Sequence, residues 1–123
     1  MREYVITLPL PSRSLMPNAR FHWRDVAKAK RFARLTAKYA GEAHIKKLPP
    51  MECVSCEARF FFETRRKRDR DNLIAWLKSY FDGLQDSGLI KNDSDMTHLP
   101  ALVMLDEVSP RVELHIKEIP CAS

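Results

Sequence analysis

Residues 52–63 read ECVSCEARFFFE, and the alternation inside this stretch decides the architecture. Val54, Cys56, Ala58, Phe60 and Phe62 fall on one parity, with Cys53, Ser55, Glu57, Arg59 and Glu63 between them. A period of two marks a strand with one face buried. Such a strand needs another layer over its apolar side.

The segments on either side supply that layer. Upstream, Pro49 and Pro50 separate the strand from a helix expected over Arg24 to Ala40, closed near Gly41. Its Val26, Ala29, Ala33, Ala37 and Ala40 make one face of mostly small residues, suited to close packing on a sheet. Further upstream, YVITLPLP is a short strand ended by Pro9 and Pro11, and SRSLMPNARFHW a proline-broken loop. Downstream, a helix is expected over about Asn72 to Ser87, with Leu73, Leu77, Phe81 and Leu84 inward and Gly88 as its stop. LPALVML reads as a strand buried on both faces. PRVELHIKEI alternates again, with Val112, Leu114 and Ile116 inward. The order strand, helix, strand, helix, strand, strand describes one compact α+β domain over residues 1–123, with two main helices on a mixed sheet.

The chain's 123 residues suffice for one core, and 45% hydrophobic content is ordinary for a globular domain. Twenty-one Lys and Arg against 16 Asp and Glu leave +5, and the positive charge clusters, so nucleic acid is the first partner to consider. The opening MREYVITLPL has an acidic residue and no long apolar run, unlike a secretory leader. No segment has the length to span a membrane. Three cysteines in such a chain are expected as reduced thiols of a cytoplasmic protein.

Other chemistries fail on spacing. Cys53 and Cys56 sit at a zinc-like interval, but three apart on a strand they face opposite ways, and Cys121 is the only other thiol. The three glycines, Gly41, Gly83 and Gly88, cannot build a phosphate loop, so no nucleotide cofactor is expected. His22, His44, His98 and His115 show no metal-ligand rhythm; His98 falls in a loop and His115 on a polar strand face.

Two basic regions remain. On the first helix Arg24, Lys28, Arg31, Arg34 and Lys38 form a row, and only Asp25 offsets seven positive side chains between Arg20 and Lys38. A solubility face would mix signs, so this row is read as binding DNA phosphates. Phe21 and Trp23 beside it either stack on bases or anchor the loop. The second region, RRKRDRDN over 65–72, places Asp69 and Asp71 among five cations. In an extended segment residues two apart project to one side, so the pair makes a hard-oxygen site for Mg²⁺ or Mn²⁺. Arg66, Lys67, Arg68 and Arg70 would hold the DNA backbone against that ion. The plainer reading has Asp71 capping the helix and Asp69 paired with an arginine. Lys78, two helical turns after Asp71, points back toward the pair and could stabilise a phosphodiester transition state. Otherwise it pairs with Asp82 one turn along.

RDRDN, then Lys78, then FDGLQDSGLIKNDSD resembles the RusA family of endodeoxyribonucleases, the phage-encoded Holliday-junction resolvases, as does LPLPSRSLMPNARFHWR near the start. The resemblance implies Asp69, Asp71 and Asp93 as catalytic metal-binding acids, Lys78 as the catalytic lysine and Arg68 as a DNA contact. It implies Mg²⁺-dependent cleavage of four-way DNA junctions by a homodimer, encoded by a bacterial host or its phage. Two departures stand out. Asp71 and Lys78 are three residues further apart than in the best-known form of the motif. Asn92 stands where that form has an aspartate, so Asp93 and Asp95 compete for the third acid, and Asp93 is chosen. The alternatives are a non-catalytic basic DNA-binding module and a small structural protein of a phage particle.

Chain reach adds one expectation. A helix from Asp71 to Gly88 carries the chain roughly 24 Å away. The five steps back to Asp93 recover at most about 18 Å. Asp93 is therefore expected to join Asp69 and Asp71 of the partner subunit.

Overall fold

The 52–63 stretch sits at the centre of the sheet. In the computed structural model, which describes residues 1–121, strand β2 (Val54–Phe62) has neighbours on both sides. On one side β5 (Arg111–Glu118) pairs with it antiparallel, and β1 (Glu3–Leu8) adds antiparallel to β5. On the other side β3 (Met96–His98) and β4 (Leu102–Leu105) pair with β2 in parallel, one after the other. The sheet is mixed, and the domain is α+β as the pattern required. Val54, Cys56, Ala58, Phe60 and Phe62 of β2 and Val112, Leu114 and Ile116 of β5 are all buried.

Three helices cover that apolar face: α1 (Trp23–Glu42), α2 (Arg70–Trp76) and α3 (Lys78–Ser87). Phe60, Phe62 and Trp76 stack with rings nearly parallel and centres 5.9–6.5 Å apart. The Trp76 indole N–H reaches the Ser12 carbonyl at 2.8 Å, which ties the N-terminal loop to the same point. The Tyr80 hydroxyl similarly donates to the Pro9 carbonyl, at 2.6 Å.

Several expectations change. The single helix over Asn72–Ser87 is two helices parted at Leu77, whose ψ of 4° and N–H bond to Ile74 O (3.0 Å) make one tight turn. The inward set is unaffected: Leu73, Leu77, Phe81 and Leu84 are all buried. The small-residue face of α1 packs mainly on α3 rather than on the sheet. Ala33, Ala37 and Gly41 are buried, and the helix ends at Glu42, next to Gly41 as expected. The helix start is capped by His22, whose Nδ1 accepts from Arg24 N at 3.1 Å.

LPALVML is not buried on both faces. Pro100, without an N–H, interrupts the ladder, and β4 pairs with β2 alone among the described residues. As an edge strand it leaves Leu102 and Leu105 more than a third exposed. The thiols also differ from expectation: Cys53 and Cys121 are joined in a disulfide, and only Cys56 is free, buried in the core. The reason is register. β5 runs antiparallel past the start of β2, Val54 faces Glu118, and Ile119 N donates to Cys53 O at 2.9 Å. Two residues later Cys121 reaches Cys53, Cα to Cα 5.4 Å.

Two stability predictions follow from these contacts. A β-carbon on Gly83 would stand 2.8 Å from Ala37 Cβ and meet the Arg34 carbonyl oxygen, atoms of another helix that cannot swing aside. Gly83→Ala should destabilise the fold by about 1–3 kcal/mol in urea denaturation. Cys121→Ser opens a loop of 68 residues and should lower stability by roughly 4 kcal/mol on the chain-entropy model, with reductant doing the same to the wild type.

Candidate functional site

The extended segment after β2 ends where Asp69 caps α2. Asp69 Oδ1 accepts the Asp71 N–H at 3.0 Å, and Asp69 O accepts the Leu73 N–H at 3.2 Å. The cap is thus Asp69, with Asp71 in the first turn. Unpaired N–H groups at a helix start favour carboxylates there. Capping uses one Asp69 oxygen. Among the described residues, the Asp71 carboxylate has no ion-pair or hydrogen-bond partner, although Arg65, Arg66, Lys67 and Arg70 surround it in sequence. All these groups are exposed.

Arg68 differs from its basic neighbours. Its guanidinium lies 3.6 Å from the centre of the Phe62 ring and donates to Arg66 O (2.9 Å) and Thr64 O (3.2 Å). Partial burial and the nearby Arg66 lower its affinity for the proton.

Lys78 opens α3 and does not turn to Asp71. Its Nζ bonds Asp82 Oδ1 at 2.9 Å and also Asp93 Oδ2. Asp93 holds the Lys78 ammonium above its ordinary pKa, with Asp82 adding to the effect. Lys78 in turn keeps the Asp93 carboxyl below the usual range. Asp93 comes into reach because the chain reverses at Gly88, in the left-handed region at φ 84°, and runs back along α3. Met51 fixes that return, accepting from Lys91 N (2.9 Å) and donating to Leu89 O (3.0 Å). Gln85 Oε1 then takes the Asp93 N–H at 3.2 Å, and Asp93–Asp95 form a 3₁₀ turn capped by Asn92. Asp95 is exposed and outside this pairing.

One chain therefore presents two groups, Asp69 with Asp71 and Lys78 with Asp82 and Asp93, with the break at Leu77 between α2 and α3 and no bond joining them. No three acidic, histidine or cysteine side chains gather as a metal site among the described residues. The Lys78–Asp82 pair was legible from its spacing of four. The meeting of both with Asp93 had no signal in sequence. His98, read as a loop residue, ends β3 and packs on Phe81 at 4.9 Å; burial lowers its pKa.

The α1 row divides in the same way. Arg24, Lys28 and Arg31 are exposed without acidic partners among the described residues, and Arg24 lies 5.2 Å from the Trp23 ring centre. Arg34 instead grips Asp86 of α3 with two N–H groups, Nη2 to Oδ1 at 2.9 Å, which lowers the Asp86 pKa. Lys38 stands 4.0 Å from Glu42. Phe21 and Trp23 are both exposed, so neither anchors the loop in the core.

A protein of Xylella fastidiosa (strain Temecula1 / ATCC 700964), described only as uncharacterized, is 37% identical over 86 residues, which make up 67% of this chain and 56% of the relative. This chain thus spans little more than half the length of that protein. The family model for endodeoxyribonuclease RusA matches residues 12–117, a span that holds both acidic groups, the basic loop and the whole sheet except β1 and the last residue of β5. The chain belongs to the RusA endodeoxyribonuclease family.

Proposed function

We propose that the protein is a divalent-metal-dependent endonuclease that resolves four-way DNA junctions as a homodimer. The observation that carries this reading is the Asp71 carboxylate, left unpaired beside four cations. An aspartate serving only to neutralise its neighbours would be bonded to one of them. A carboxylate kept free next to phosphate-binding side chains suits an ion that bridges protein and phosphate oxygens. The donor set fits Mg²⁺ or Mn²⁺: Asp69 retains one carboxylate oxygen beyond its cap, and Asp71 retains both. When bound, the ion would activate water and stabilise the leaving 3′ oxygen.

The remaining roles belong to the chain itself. Arg66, Lys67 and Arg70, with Arg24, Lys28 and Arg31 on α1, attract the DNA backbone. Lys78, kept protonated by Asp93 and Asp82, offers a fixed positive charge to the transition state. Within one chain it bonds Asp82 and Asp93 and not Asp71, so we place the assembled site in the dimer. Asp69 and Asp71 of one subunit meet Asp93 and Lys78 of the other, giving two sites for the two strands of a symmetric junction. The alternative, a non-catalytic DNA-binding module, accounts for the Asp69 cap and the basic loop and leaves Asp71 only its favourable place in the first helical turn.

Asp69→Asn, Asp71→Asn and Asp93→Asn should each abolish Mg²⁺-dependent nicking of a synthetic junction while junction binding, followed by gel shift in EDTA, stays equal or tightens. Binding without nicking by the wild type at any Mg²⁺ or Mn²⁺ level would favour the binding module. Activity lost in the first two but kept in Asp93→Asn would move the third acid to Asp95.

Mixing Asp69→Asn protein with Asp93→Asn protein tests the shared site. A mixed dimer then has one intact site and one doubly altered site, so nicking of single strands returns to a sizeable fraction of wild type. Silence after confirmed subunit exchange would put each site within one chain.

A further inference from the structure

We propose that Arg68 is a positioning residue: it fastens the basic loop to the aromatic core and so fixes Asp69 and Asp71. This rests on the nuclease reading only where cleavage is measured. Three of its five N–H groups aim at the loop's own oxygens, at Arg66 O (2.9 Å), Thr64 O (3.2 Å) and Thr64 Oγ1 (3.3 Å). Its planar face lies on Phe62, itself buried and stacked with Trp76 of α2. The guanidinium therefore links the end of β2, the loop over 64–67 and, through the next residue, the α2 cap.

The chemistry favours this role over a phosphate contact. Arg65, Arg66, Lys67 and Arg70 are exposed and repel one another, so a loop that holds them needs an internal tie. Arg68 provides one because a flat fork can stack on a ring and bond two carbonyls at once. A lysine ammonium in its place could not do both. Asp69 follows immediately, and its cap on Asp71 N and Leu73 N depends on where the loop delivers its backbone. Holding the acids in place matters because a 1 Å misplacement at a reacting centre is enough to slow a reaction about a hundredfold.

The test compares Arg68→Lys, which keeps the charge, with Arg68→Met, which keeps an apolar arm on Phe62 but no donors. Amide hydrogen exchange is followed in the full chain without DNA or metal. In both variants exchange at Asp71 and Leu73 should quicken by about tenfold, with the Ala58 and Leu114 amides of the sheet unchanged. Junction binding should keep the wild-type slope of log affinity against log salt, whereas Arg66→Ala flattens it by about one unit. Single-turnover nicking should fall by about a hundredfold in both variants. Unchanged exchange at Asp71 and Leu73 in whichever variant folds would overturn the proposal. So would a slope flattened in Arg68→Met but not Arg68→Lys alongside wild-type exchange, which would make Arg68 a DNA contact. Should the wild type cleave nothing, the nuclease reading fails, and exchange with the salt slope still decides the role of Arg68.

Discussion

Gly83 lies against the backbone of Arg34 with no room for a β-carbon between them, and this contact fixes where α3 runs. Helices usually keep 8–10 Å between axes, and only small residues at the crossing allow the lower end of that range. Ala33, Ala37 and Gly41 supply them on α1, while Gly83 and Ser87 do so on α3. Arg34 and Asp86 then fork together at the rim. With α3 seated, Lys78 and Asp82 are placed at its start, and the strand-like return through Leu89 and Ile90 can bury both residues and carry Asp93 back to them.

Charge follows a clear division. On the open face of the sheet almost every ionic side chain has a partner: Arg59 with Glu57 at 2.6 Å, Arg111 with Asp106 at 2.8 Å, Lys117 with Glu3 at 3.5 Å. Such exposed pairs add little stability individually, but they leave that face without net attraction for an anion. The loop over 65–70 and the start of α1 are the reverse, with cations unpaired among the described residues. Unpaired cations of this kind are what attracts a polyanion, and the free carboxylate of Asp71 follows directly on those of the loop.

The parts of the site visible in sequence were those within one element. Asp69 and Asp71 could be singled out because two acids interrupted a run of one charge. Lys78 could be tied to Asp82 because helix geometry sets which residues four apart meet. Arg68 and Arg34 could not be separated from their neighbours. Whether an arginine meets phosphate or its own fold depends on Phe62 and Asp86, which are distant along the helix or across the loop.

By itself the sequence determined the local periods: the alternation of β2 and β5, the apolar positions of the helices, the α+β class and the acidic pair in its basic setting. Those follow from side-chain direction along one element, which the chain carries from residue to residue. Only the tertiary structure decided that α1 packs on α3, that β4 lies at the edge of the sheet, and that Cys121 meets Cys53. It also decided that Asp93 joins Lys78 of its own chain. Each of these depends on two segments far apart in the chain, and such meetings are set by strand register and by how closely two surfaces can approach, which no single stretch encodes.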